Sequence, residues 1–281
     1  MNKSLFCIGL AVFLSCGMPS RIARQEIDRI LDGAVQALYE EENLLIADHA
    51  MAADIKLLEG LIRAYPGMPH YKVLASQALC SYALGFVEDQ DTLAAIRLYQ
   101  KGRSYAGQAL GIDWDQIGLD SLESILKKKG KESTPALFWG AFNWSAELYL
   151  RITDPEATIN LPKIKLMMEK VTADDETYFY GAAHIFWGSY YSMLPEMAGG
   201  NIKKSLHHFN RALEISNRRF LLIHYFFLKQ YCLTTLEEEL FDQMAAEALN
   251  FNPADMPEQT LANGIAIRKI QRLVRLKSEF F

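Results

Sequence analysis

Few residues in this 281-residue chain stand at the spacings that chemistry requires. Metal binding needs histidine, cysteine or carboxylate ligands on one face, three or four residues apart on a helix. His207 and His208 are adjacent, so on a helix they point about 100° apart, one capping the core and the other meeting solvent. His184 and His224 lie among aromatic and aliphatic residues, where a hydrogen-bonded core or groove histidine is the expectation. Gly199-Gly200-Asn201-Ile202-Lys203-Lys204-Ser205 imitates a phosphate loop, but it lacks the second glycine before the lysine and follows a helix rather than a strand. Gly-x-Ser-x-Gly is absent, and Glu237-Glu238-Glu239 reads as a helix start. The chain is therefore expected not to be an enzyme and to carry no metal or cofactor.

The aromatic residues are better placed. Tyr180, His184, Trp187 and Tyr191 follow one another at four, three and four residues, which predicts one shared helix face. Phe179, Ala183, Phe186 and Tyr190 form the adjacent stripe, so the helix is apolar over a wide arc. Core packing explains that arc; a groove for an amphipathic ligand explains it too, because Tyr and Trp present an apolar body with a polar tip. Gly199 and Gly200 follow as a turn beside this helix. These six residues are the candidate ligand or partner contacts, with Phe138-Trp139, Phe142 and Trp144 as a second aromatic run.

A different chemistry is written at the start. Lys3, an apolar run from Leu5 to Leu14 and then Ser15-Cys16 describe an export signal, too short to span a membrane. The small residue before Cys16 resembles a bacterial lipobox, with Phe13 where leucine is usual. Residues 1–15 are read as a signal peptide, and Cys16 as a lipidated N-terminus of a single domain, 16–281. An ordinary signal with an incidental cysteine is the alternative.

Half of the residues are apolar and 22% are charged, so the remaining chain can bury a large core. Formal net charge is −5 with no long basic run, which argues against nucleic acid as a partner. Lys127-Lys128-Lys129 and the scattered Arg268, Lys269, Arg272, Arg275 and Lys277 read as helix ends and solvated faces. Cys80 and Cys232 sit in apolar helical stretches and are expected to be buried free thiols, with a single bridge between them as the alternative.

Almost every segment has a period of 3.6, which predicts an all-α protein. Helices are expected over Ser20 to Glu42, Leu44 to Tyr65, His70 to Phe86, Asp91 to Leu110, Asp113 to Lys129 and Thr134 to Ile152. Six more follow over Pro155 to Val171, Asp175 to Met193, Asn201 to Ser216, Phe220 to Leu233, Leu236 to Leu249 and Met256 to Glu279. Ser20, Asp91, Asp113, Thr134, Asp154 and Asn201 are the expected N-caps. A degenerate repeat runs through them, a small residue, a large apolar one and a second small one. Ala53-Leu57-Gly60, Ala95-Tyr99-Gly102 and Ser205-Phe209-Ala212 carry it, with Gly188 and Tyr191 upstream of the last. The expected architecture is an irregular tetratricopeptide-like helical solenoid of about twelve helices.

From Thr134 to Leu276 the chain resembles the T-component (TatT) family of tripartite ATP-independent periplasmic (TRAP) transporters. The residues that carry the likeness are Tyr178-Phe179-Tyr180-Gly181-Ala182-Ala183-His184-Ile185, Pro195 to Gly200, Ser205 to Leu213, Pro135 to Trp139 and Leu261 to Lys269. The resemblance implies a lipid-anchored periplasmic scaffold that associates with a TRAP solute-binding protein, and a homotrimer around a central opening. The expected function is an accessory protein that docks this partner and helps deliver small, hydrophobic organic solutes. The competing reading is a scaffold for envelope or outer-membrane protein assembly, because tetratricopeptide lipoproteins also grip extended peptides.

Overall fold

A periodicity of 3.6 with few β-branched runs folds as expected into helices, and no strand occurs among the described residues. The computed structural model describes the backbone of residues 17–281 and the side chains of residues 25–281. The signal segment and Cys16 lie outside the described residues. We number the helices of five or more residues α1 Gly17–Tyr39, α2 Leu44–Ala64, α3 Pro69–Tyr82, α4 Thr92–Leu110, α5 Leu119–Lys128 and α6 Thr134–Leu150. They continue as α7 Leu161–Asp174, α8 Ala183–Met193, α9 Ile202–Ile215, α10 Leu222–Phe226, α11 Glu238–Leu249 and α12 Thr260–Arg275. Two π-helical segments extend these rods, Ala83–Val87 after α3 and Phe227–Cys232 after α10.

Capping explains most of the boundaries. The amide of Ala94 donates to Asp91 at 2.8 Å and that of Lys204 to Asn201 at 2.9 Å. Asp154 caps the short turn Pro155–Thr158, and Asn43, not among the expected caps, starts α2. Asp113 receives the amides of Asp115 and Gln116 in a turn, and the helix expected there begins only at Leu119. The loop is held because Trp114 is buried and its indole donates to the carbonyl of Arg103 at 3.0 Å. Ser20 lies inside α1 and Thr134 is the first residue of α6, so neither caps a helix. The helix expected over Pro155 to Val171 is broken before Pro162, which sits in the first turn of α7 where its missing N–H costs nothing.

The helices pack on near neighbours in sequence, α3 on α4, α6 on α7 and α8 on α9, while α4 packs on α6 past α5. Two of the three repeat triads drive this. Ala95, Tyr99 and Ala106 are fully buried, and a Cβ at Gly102 would stand 2.4 Å from Asn143 Oδ1 on α6. Ser205, Phe209 and Ala212 are fully buried on α9, and a Cβ at Gly188 would meet the Phe209 ring at 2.6 Å. The third triad is a correction. Ala53, Leu57 and Gly60 face solvent, Leu57 at 54% exposure, while Met51, Ile55, Leu58 and Ile62 form the buried face of α2. Finally α12 returns to α1, α2 and α10, and Ala47, Met51 and Phe86 pack with Leu261 and Ile265.

Candidate functional site

The helix expected over Asp175 to Met193 is interrupted at its aromatic start. Phe179 (φ 46°), Tyr180 (φ 61°) and Gly181 (φ 75°) are left-handed, and α8 begins at Ala183. Such a backbone costs about 1–2 kcal/mol for each non-glycine residue, so surrounding contacts must hold it. Tyr180 stacks on Phe220 with centroids 5.0 Å apart, and Phe179 packs edge-on against Trp139 at 4.8 Å. Tyr180 is thereby turned off the face of His184, Trp187 and Tyr191, and lines a shallow surface depression with Arg211 and Glu214.

The other three members do converge, around His208 of α9. The His208 ring is stacked with His184, Trp187 and Tyr191 at centroid separations of 5.1, 6.1 and 5.6 Å. His184 Nδ1 and His208 Nδ1 are 2.9 Å apart, and the Trp187 indole donates to Thr172 Oγ1 at 2.9 Å. His184 Nε2 lies 3.5 Å from Glu176 Oε2, longer than a good hydrogen bond. Burial lowers the pKa of both rings, that of His208 to about 4, so the pair shares its proton as neutral imidazoles. Hydrogen bonding from Arg211 holds the Glu176 carboxyl below the usual range.

Phe186 and Tyr190 of the adjacent stripe face a partly open space. Ile185, Phe186, Ser189 and Tyr190 line a chamber of about 140 Å³, closed by Phe142, Ala146 and Tyr149 of α6, Tyr99 of α4 and Phe226 of α10. Ile152 is in its wall and 44% exposed, which places the opening between α6 and α7. A second chamber of about 70 Å³ lies on the other side of Cys80, Leu84, Phe142, Ile185 and Phe226, which line both. Its far wall includes Tyr39, Met51, Trp139, Phe179 and Leu261. Phe142 and Phe226 stand edge to face at 6.2 Å in this partition. Trp139 Nε1 and Gln259 Oε1 are buried in the second chamber's wall without a hydrogen bond of normal geometry, one donor and one acceptor in a mostly apolar lining.

Charge enters the first chamber at one end. Lys229, on the π segment after α10, reaches Glu88 Oε1 at 3.5 Å, and Tyr99 donates to Glu88 Oε2 at 2.7 Å. Burial pulls the Lys229 pKa down, but Tyr225, Glu88 and Tyr149 more than offset it, and the ammonium stays charged over the Tyr149 ring at 4.6 Å. Sequence reasoning missed this end because only the two π segments bring Glu88 and Lys229 together.

Trp187 forms the layer behind the chamber, against Phe186 and Tyr190 at 4.9 and 5.8 Å. Gly199 and Gly200 form the turn after α8. Gly199 is left-handed at φ 95°, and a Cβ at Gly200 would fall 1.8 Å from the Leu194 carbonyl oxygen. This turn abuts the chamber through Leu194, which lines it, and Met197 at its tip is 96% exposed. His224 is fully buried with Nε2 3.2 Å from Glu247, and Cys80 and Cys232 are buried free thiols. Among the described residues no group of three or more His, Cys, Asp or Glu is placed to hold a metal ion, and no helix is long and apolar enough to cross a membrane.

An all-helical body around a divided apolar cavity defines a helical protein with the geometry to hold a small apolar molecule. Comparison with known families makes this specific: the chain belongs to the TRAP transporter T-component family, matched over residues 40–281. That is a family of transporter accessory components rather than of enzymes. No curated protein matches the chain.

Proposed function

We propose that this chain is a periplasmic accessory lipoprotein that docks a TRAP solute-binding protein and passes a small, apolar organic solute through its divided cavity. The observation that carries the reading is the pair of chambers sharing the Phe142–Phe226 partition. A cavity of about 150 Å³ lined by apolar side chains stays dry and binds benzene. The first chamber, at about 140 Å³, suits an aromatic ring or a short branched chain, and the second accepts an extension of the same molecule. Lys229 and Glu88 offer that molecule one polar end.

Family membership supports the partner. Lipidation of Cys16 would place the anchor immediately before α1, because residues 17–20, the expected spacer, are already helical. The body would then lie close to the membrane that holds the permease. Tyr191 and Gly199 sit beside the chamber and are the proposed partner contacts; buried Gly200 shapes their turn, His184 and Trp187 support them from behind, and Tyr180 lies apart in its own depression. A homotrimer remains part of the proposal on the family resemblance.

In-cell crosslinking of the full-length chain, followed by identification of what stays attached, tests this. Recovery of a TRAP solute-binding protein is the expected result. Recovery of outer-membrane assembly proteins instead would replace the transport reading with the scaffold one.

A further inference from the structure

The basic residues near the C-terminus are only in part a solvated face: Arg272 and Arg275 are exposed, but Arg268 is half-buried and Lys269 is buried. Arg268, Lys269, Arg272 and Arg275 of α12 line a concave cleft of about 250 Å³, and its opposite wall is Gly85, Phe86, Asp89 and Gln90. Asp89 is the one carboxylate in that lining. It receives Lys269 Nζ at 2.7 Å and Arg272 Nη1 at 2.9 Å. Arg268 donates to the carbonyl of Gly85 and lies over the Phe86 ring at 5.1 Å. Arg275 is exposed and has no carboxylate partner among the described residues. Four cations thus face one anion, on a chain whose formal net charge is −5.

Ordinary helix energetics does not produce this arrangement. The carbonyl end of α12 favours Arg272 and Arg275, but like charges three and four residues apart repel, and here three of them follow at 268, 272 and 275. The neighbouring carboxylate, Glu88, is already engaged by Lys229 and Tyr99. Lys269 is 3% exposed, so its charge is screened poorly and acts on whatever occupies the cleft. Three of the four cations are also fixed in place. The Phe86 ring and Gly85 carbonyl hold Arg268, and Asp89 holds the next two, so a ligand would not have to order them.

We propose that this cleft binds an oxyanion of the phosphate class, with Arg272 and Arg275 as guanidinium forks and Arg268 and Lys269 supplying the field. Planar forks match tetrahedral oxyanions through paired N–H donors, and an excess of positive charge suits a multiply charged ligand. The source is free phosphate or the phosphate of an anionic lipid headgroup. The site abuts the second chamber through Gly85, which lines both, but it does not depend on the transport reading.

The test is calorimetric titration of the full chain with inorganic phosphate, alongside flotation on phosphatidylglycerol and phosphatidylcholine vesicles. Saturable phosphate binding that weakens at least about tenfold in Arg275→Gln and in Arg272→Gln is the expected result for a free ion. A preference for phosphatidylglycerol over phosphatidylcholine that both variants lose assigns the headgroup instead. Arg275→Gln removes no contact that the fold uses, so an unchanged melting curve certifies that variant. Absence of both phosphate binding and lipid preference in the parent chain, or their persistence in both variants, overturns the proposal.

Discussion

Replacing Ala146 with Phe places a ring where the cavity account puts the solute. Ala146 is on α6, half-buried, and lines the first chamber of about 140 Å³. A cavity of about 150 Å³ is filled by one benzene, so the introduced ring consumes nearly all of the space. Burying it contributes about 1.5–3 kcal/mol, and overpacking costs about 1–3 kcal/mol. The terms offset to within about 2 kcal/mol, and at about 2–4 °C per kcal/mol for a chain of this size Tm should move by no more than about 8 °C. Binding of fluorobenzene, followed by fluorine NMR, should weaken at least about tenfold, or 1.4 kcal/mol. Equal binding by the parent and A146F, or a drop in Tm well beyond that range, would show that the chamber is not where the structure puts it.

Other perturbations test the packing around the site. Gly188→Ala should destabilise by about 1–3 kcal/mol and lower Tm by about 2–12 °C, because its Cβ would stand 2.6 Å from Phe209, itself stacked on Phe227 at 5.0 Å. Asn143→Ala should cost about 1–3 kcal/mol, read as a lower urea midpoint at constant slope, because the amide nitrogen donates to the Ser76 and Trp139 carbonyls at 3.0 and 2.8 Å. Burial pulls His208 from 6.5 to about 4 and lowers His184 and His224, so the folded chain binds fewer protons than the unfolded one across that window. Stability should therefore be fully present above pH 6.5 and fall as pH drops towards 4, and His208→Phe should flatten the decline of Tm with pH.

What the sequence made legible was local. Asp91 and Asn201 were readable as caps because a short acceptor meets free first-turn amides. Tyr99 and Phe209 were readable as buried because small residues three or four positions away mark close helix contacts. The same pattern misled at Leu57, which no helix among the described residues covers. The left-handed turn at Phe179 and Tyr180 was hidden because aromatic residues rarely take that backbone, and rings from Trp139 and Phe220, distant in sequence, hold it there. The aromatic helix was legible, but which of its faces meets the chamber was not. His184, Trp187 and Tyr191 gather on His208, and Phe186 and Tyr190 meet the chamber. The chamber itself joins Cys80, Phe142, Ile185 and Phe226 from four helical elements, and no spacing along the chain encodes that meeting.

Solute transfer tests the central claim most directly. A TRAP solute-binding protein loaded with its labelled solute is mixed with the parent chain and, separately, with A146F, and the label on each is measured after separation. The account predicts that label moves to the parent chain and not to A146F. Failure of transfer to the parent, or equal transfer to A146F, would contradict it.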